Sequence, residues 1–124
     1  MAKLNKIMAF VATRNADKAK LFYADKLGLR FVNDDGFALV FDVAGTMLRI
    51  ARVKEFTPFP FTVLGWEVEA IEQTVADLGS KGVSFERFPG LRQDPLGIWA
   101  APGGAKVAWF KDPDGNVLSV SQHT

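Results

Sequence analysis

The sequence predicts an α+β fold built as two tandem β-α-β-β-β modules. Three observations lead there. Short apolar runs are separated by turn residues, two amphipathic segments each end on a glycine, and the same order of signals starts again after a proline-rich break near residue 60. The chain has 124 residues, of which 48% are hydrophobic and 23% charged. That suits one packed domain and lacks the charge excess of a disordered chain. The domain is expected over residues 4–123, with a first module at about 4–55, a connector at 56–60 and a second module at 61–123.

Residues 6–12 are almost wholly apolar, which suits a strand covered on both faces. Asn15 is placed to cap a helix whose apolar positions Ala16, Ala19, Phe22, Tyr23 and Leu27 recur at three and four residues, with Gly28 as its stop. Residues 29–33, 37–43 and 46–53 read as strands separated by Asp34-Asp35-Gly36 and Ala44-Gly45, both hairpin turns in composition. Phe56-Thr57-Pro58-Phe59-Pro60 then interrupts the pattern, since proline cannot donate to a ladder. In the second half residues 61–69 form a strand, and residues 70–81 a helix with Ile71, Thr74, Val75 and Leu78 on one face and Gly82 as its stop. Residues 83–87, 97–101 and 105–111 follow as strands, and Asp112-Pro113-Asp114-Gly115 turns into a last strand at 116–122. Gly28-Leu29-Arg30-Phe31 and Gly82-Val83-Ser84-Phe85 stand at the same step of the two halves, which supports an internal repeat of about sixty residues.

Composition removes several classes of function. Fifteen basic and fourteen acidic side chains leave a net charge of +1, and the cations are scattered, so nucleic acid is not the expected partner. With no cysteine there are no disulfides, thiolate nucleophiles or thiolate metal sites. Apolar runs of five residues, such as 8–12 and 37–41, are too short to span a bilayer. The start Met-Ala-Lys-Leu-Asn-Lys lacks the apolar stretch of a signal peptide, so a cytoplasmic location without membrane partners is expected.

Three stretches carry a resemblance to a known family. Ala19-Lys20-Leu21-Phe22-Tyr23-Ala24-Asp25-Lys26-Leu27-Gly28-Leu29, Leu64-Gly65-Trp66-Glu67-Val68 and Phe110-Lys111-Asp112-Pro113-Asp114-Gly115-Asn116 occur in the order seen in the glyoxalase/bleomycin-resistance/extradiol-dioxygenase, or vicinal-oxygen-chelate, superfamily. The chain resembles that family from Leu4 to His123. The resemblance implies a curved mixed sheet around a cup that encloses one small-molecule pocket, and a dimer in which a partner subunit completes the cup. It also implies four His or Glu metal ligands, one on the first and one on the last strand of each module. The matching positions here are Met8, Arg49, Val63 (within one residue) and Ser119. None is a normal ligand for a divalent ion. The single histidine, His123, lies beside the end of the sequence. No metal or other cofactor is therefore expected, and neither are the glyoxalase and dioxygenase chemistries that need a Lewis acid.

Strand parity assigns a pocket lining of Met8, Phe10 and Ala12, of Met47, Arg49 and Ala51, of Val63, Gly65 and Glu67, and of Val117, Ser119 and Ser121. Ile7, Val11, Leu48, Ile50, Leu64, Trp66, Val68, Leu118 and Val120 then pack under the helices. Arg49 and Glu67 stand out as charges facing an interior, expected either to pair with one another or to act on a ligand. Trp99 and Trp109 offer flat surfaces to an aromatic ligand or simply pack. Residues 88–95, with two prolines and a glycine, connect strands or cover the pocket mouth. The expected function is metal-free binding of a small organic molecule. The alternatives are a metal-independent lyase or isomerase using Arg49 and Glu67, and a protein whose surface does the work. Phe56, Phe59 and Phe61 in and beside the connector point to a homodimer.

Overall fold

The computed structural model describes residues 1–123. Two compact units are present, Met1–Thr57 and a second that begins at Pro58. The first runs β1 (Met8–Thr13), α1 (Ala16–Lys20) continued by a π-helical segment (Leu21–Lys26), β2 (Arg30–Asp34), β3 (Ala38–Val43) and β4 (Thr46–Arg52). The second runs β5 (Thr62–Glu67), α2 (Ile71–Ser80), β6 (Trp99–Ala100), β7 (Lys106–Lys111) and β8 (Val117–Gln122). Among the described residues the strands form two four-stranded mixed sheets, ordered β1-β4-β3-β2 and β5-β8-β7-β6. In each, the first strand pairs in parallel with the last while the others are antiparallel. Identical strand order in both units establishes the repeat as α+β.

One face of each sheet is sealed by its helix. In the first unit Val11, Leu39, Phe41, Leu48 and Ile50 are buried on that face, and Tyr23 from the helical segment meets Phe41 at 6.1 Å between ring centroids. Asn15 caps α1 as expected, its side-chain oxygen accepting the backbone N–H of Lys18 at 3.1 Å. The helix does not stay α-helical to its end. Phe22 and Tyr23 are both buried there, their rings meeting edge-on at 5.2 Å. Over Leu21–Lys26 the turn is wider, and the Leu27 N–H reaches back five residues to the Phe22 carbonyl. β3 and β4 are joined through Ala44 and Gly45 at φ +48° and +93°, the two positive angles of a type I′ turn.

In the second unit Ile71 and Val75 of α2, Ala108 and Phe110 of β7, and Leu118 and Val120 of β8 are all buried. Trp66 stacks on Phe110 at 6.4 Å. Three expectations fail. Residues 83–87 do not form a strand and keep only the Phe85–Phe110 bridge. The Gln93 side chain is the reason: it takes the Phe88 N–H at 2.8 Å and donates to the carbonyls of Glu86 and Gly97, replacing a ladder partner. Ile7, expected under the helix, precedes β1 and is 82% exposed. Val117 and Ser119, expected to line an open pocket, are buried.

The loop after residue 87 is also fixed, because Arg87 donates to the carbonyls of Asp94 and Pro95 at 2.9 and 2.8 Å. At α2, Ala70 has no side chain with which to cap the helix. The Gln122 side-chain oxygen on β8 accepts the Ile71 N–H at 2.9 Å instead. Gln122→Ala should therefore destabilise the protein by about 1 kcal/mol, the scale of a lost N-cap, read as a lower denaturation midpoint at unchanged denaturant slope.

Candidate functional site

The sheet faces turned away from the helices carry the residues singled out in the sequence. On the first, Met8 pairs with Met47, Phe10 with Arg49 and Ala12 with Ala51, so these six share one face. Val40 of β3 lies beside Arg49, and Asp42 beside Met47. Met8, Phe10 and Met47 are exposed, unusual for side chains of that size. A cleft of about 620 Å³ opens at the Met8–Met47 end, lined also by Val32, Val40, Arg30 and Asp42.

Arg49 has a partner within its own unit. Its Nη2 donates to Asp35 Oδ2 at 2.7 Å, a contact the sequence reading did not name. Asp35 is itself held by its turn: its Oδ1 accepts the N–H groups of Phe37 and Ala38, each at 2.9 Å. The Arg49 hydrogen bond, with those two N–H groups, pushes the Asp35 carboxyl below its ordinary range. The preceding turn residue makes the companion pair. Arg52 grips Asp34 with two bonds of 2.7 and 2.6 Å, and Gly36 N–H adds a third. Sequence reading treated Asp34-Asp35-Gly36 as a hairpin turn only.

Arg49 uses one N–H for this tether, and no buried side-chain polar atom among the described residues lacks a partner. The rest of the fork therefore faces solvent. This arrangement fixes the guanidinium in place while leaving donors for a second acceptor.

On the second unit, register aligns Gly65, Ser119 and Trp109 in one row and Glu67, Ser121, Val107 and Trp99 in the next. Trp99 and Trp109 do come together, 6.0 Å apart and inclined by 33°, and Phe88 meets Trp109 edge-on at 5.3 Å. Gly65 is required by closeness, since a Cβ there would stand 2.7 Å from Ser119 Oγ. Val63 is the extra residue of a bulge between Thr62 and Leu64 and is exposed. Thr62 Cγ2 lies 3.9 Å from that same Cβ position, so Thr62 shares the Gly65 face. Glu67 is exposed on β5, beside a small cleft lined by Val68, Glu69, Gln122 and His123.

Met8, Arg49, Val63 and Ser119 supply a thioether, a guanidinium, an alkyl group and a hydroxyl. Such a donor set does not fit a divalent ion. Among the described residues no three His, Cys, Asp or Glu side chains come together to hold one.

The chain belongs to the Glyoxalase/Bleomycin resistance protein/Dioxygenase superfamily, whose family model matches residues 3–120. No curated protein matches it. Among solved structures it is similar to an integron cassette protein from the mobile metagenome of the Halifax Harbour sewage outfall, with TM-score 0.71 and 24% identity over 96% of this chain and 98% of that one. It is similar to lactoylglutathione lyase from Agrobacterium tumefaciens, with TM-score 0.72 and 16% identity over 97% and 95%. A genomically encoded fosfomycin resistance protein from Listeria monocytogenes gives TM-score 0.73 and 12% identity over 100% and 95%. At these identities the three share its fold.

The Asp34–Arg52 pair has a pH consequence. The Arg52 hydrogen bond, and behind it the Gly36 N–H, lower the Asp34 pKa to about 2, below the roughly 3.9 of a free aspartate. A depressed folded-state pKa contributes stability that is present above the unfolded value and lost as pH falls through the folded one. Between about pH 4 and pH 2 the wild-type protein should therefore lose stability more steeply than Asp34→Asn, as read by denaturant midpoints across that window.

Proposed function

We propose that this protein binds a small organic molecule on the sheet face that carries Arg49, without a metal ion, and that Arg49 makes the main polar contact. The observation that carries this reading is a guanidinium that spends one N–H on Asp35 at 2.7 Å and keeps its other donors, with its side chain 20% exposed. A planar fork held this way suits a carboxylate, phosphate or electron-rich carbonyl oxygen. Met8, Phe10 and Met47 supply apolar surface beside it. On the second unit the Trp99–Trp109 pair, with Ser119 and Glu67 on the same face, offers aromatic surface. The chain shares its superfamily with bleomycin resistance proteins, and holding a small molecule without turnover follows the same logic. The metal-independent lyase or isomerase reading needs Glu67 as its base. Glu67 is exposed, with no group held against it, so nothing favours that reading.

We propose a cytoplasmic location, as the sequence reading expects. Among the described residues no helix is long and apolar enough to cross a membrane.

Screening by thermal shift against organic acids, phosphates, antibiotics and divalent ions tests the binding reading, because a ligand specific for the folded state raises the melting temperature. The ions should leave it unchanged. For the acid or phosphate giving the largest shift, Arg49→Ala should weaken binding by roughly 1.5–3 kcal/mol, the scale of a charge-assisted hydrogen bond. Unchanged affinity in a folded Arg49→Ala protein would sink the assignment.

We further propose a homodimer. Phe59 and Phe61 stack at 5.2 Å, nearly parallel, and both stay exposed. Phe56 does not join them, since its ring lies 5.0 Å from the Arg14 guanidinium and is half-buried. Light scattering at micromolar concentration should give about twice the 13.6 kDa chain mass, and Phe59→Ser with Phe61→Ser should lower it.

A further inference from the structure

The cleft on the first unit lies one row along the sheet from Arg49. Met8 and Met47 are two residues from Phe10 and Arg49 on their own strands, a separation of about 7 Å. Val40 both lines the cleft and pairs with Arg49. On the other side of Arg49 the row is Ala12, Ala51 and Ala38, whose small side chains leave room around the guanidinium. The apolar part of the cleft lining is Ile7, Met8, Val32, Val40, Phe41 and Met47. Four of these are exposed, at 82%, 45%, 48% and 39% for Ile7, Met8, Val32 and Met47. At about 620 Å³ the cleft has the size that takes a drug-sized organic molecule, within the range of roughly 300–1,000 Å³.

Cations outnumber carboxylates across this surface, Lys6, Arg30 and Arg49 against Asp35 and Asp42, which favours an anionic ligand over a neutral one. Lys6 and Arg30 stand at the cleft against one carboxylate, Asp42, whose pair with Arg30 is long at 3.5 Å. At Arg49 the Asp35 carboxylate already offsets part of the positive charge, which leaves a site better matched to a monoanion than to a dianion. Two methionines in the lining adapt to a flexible chain more readily than branched side chains do.

We propose that the ligand held at Arg49 is an amphipathic monocarboxylic acid, with its carboxylate on the Arg49 fork and its apolar body in the adjoining cleft. This rests on the reading of Arg49 as the main polar contact, and it adds a requirement that reading lacks. A purely polar anion leaves the cleft empty.

Calorimetric titration of the intact protein with hexanoate, octanoate and decanoate, and with 1-octanol, tests it. Affinity should rise about fourfold per added methylene, the transfer free energy of a buried CH₂ group. Met47→Glu, and independently Val32→Glu, should weaken octanoate binding at least tenfold; both positions are exposed, so the core is untouched. Arg49→Gln should weaken octanoate at least tenfold and leave octanol unchanged. Equal affinity along the acid series, or octanoate binding unaffected by both glutamate substitutions, overturns the proposal. Phosphate or citrate bound through Arg49 but equally well by Met47→Glu would overturn it while leaving the Arg49 reading standing. Octanoate binding that survives Arg49→Gln overturns both. A Met47→Glu protein that turns from dimer to monomer, with no carboxylate bound by the wild type, makes the cleft an interface between copies and also overturns it.

Discussion

The parallel pairing of the first strand with the last in each unit is the constraint on which the rest depends. Two parallel neighbours cannot be joined by a tight turn, so the chain must cross over, and here the crossover contains the helix and the two intervening strands. The helix then seals one face of the sheet with Tyr23 and Phe22 in the first unit and with Ile71 and Val75 in the second. What remains is a face with no helix over it, and every residue assigned a role in binding lies there. Chemistry on this scaffold is thus written at alternate positions of a few strands, and a one-residue slip of β4 would exchange Arg49 for a core position.

Much of this was legible in the sequence because period and punctuation agree. The two helices, the hairpin through Ala44 and Gly45 and the repeat of element order all follow from local signals, and strand parity put Val11, Leu48 and Ile50 under the helix and Phe10 and Arg49 on the opposite face of the sheet, as the register has them. Failures occur where a side chain does the work of a backbone. Gln93 replaces a strand partner, and no period-based reading of residues 83–87 registers a glutamine six residues beyond the segment. The π turn was likewise hidden, because adjacent apolar residues such as Phe22 and Tyr23 fit an ordinary amphipathic α-helix equally well.

The counterions of Arg49 and Arg52 were the largest omission at the site, and a signal for them existed. The turn at Ala44-Gly45 sets the register of β3 and β4, which brings Ala38 opposite Ala51 and carries the preceding aspartates to the arginine-bearing strand. An arginine beside a turn aspartate follows from hairpin geometry. Asp34 and Asp35 therefore serve a structural turn and a recognition residue together, and the site's charge is set by a segment that sequence reading treats as connection.

The borrowed cap of α2 has a meaning for the order in which the molecule assembles. Ile71 finds its acceptor on Gln122, 51 residues later in the chain. As a polypeptide grows from its amino end, α2 emerges well before β8, and in that interval its first turn has no side-chain acceptor from Ala70 and no parallel partner for β5. The first unit is under no such delay once residue 52 has appeared, because β1 and β4 both precede the break at Pro58. The two halves of a repeat that look alike when finished are thus unequal while forming, and the later one depends for its completion on the last strand to arrive.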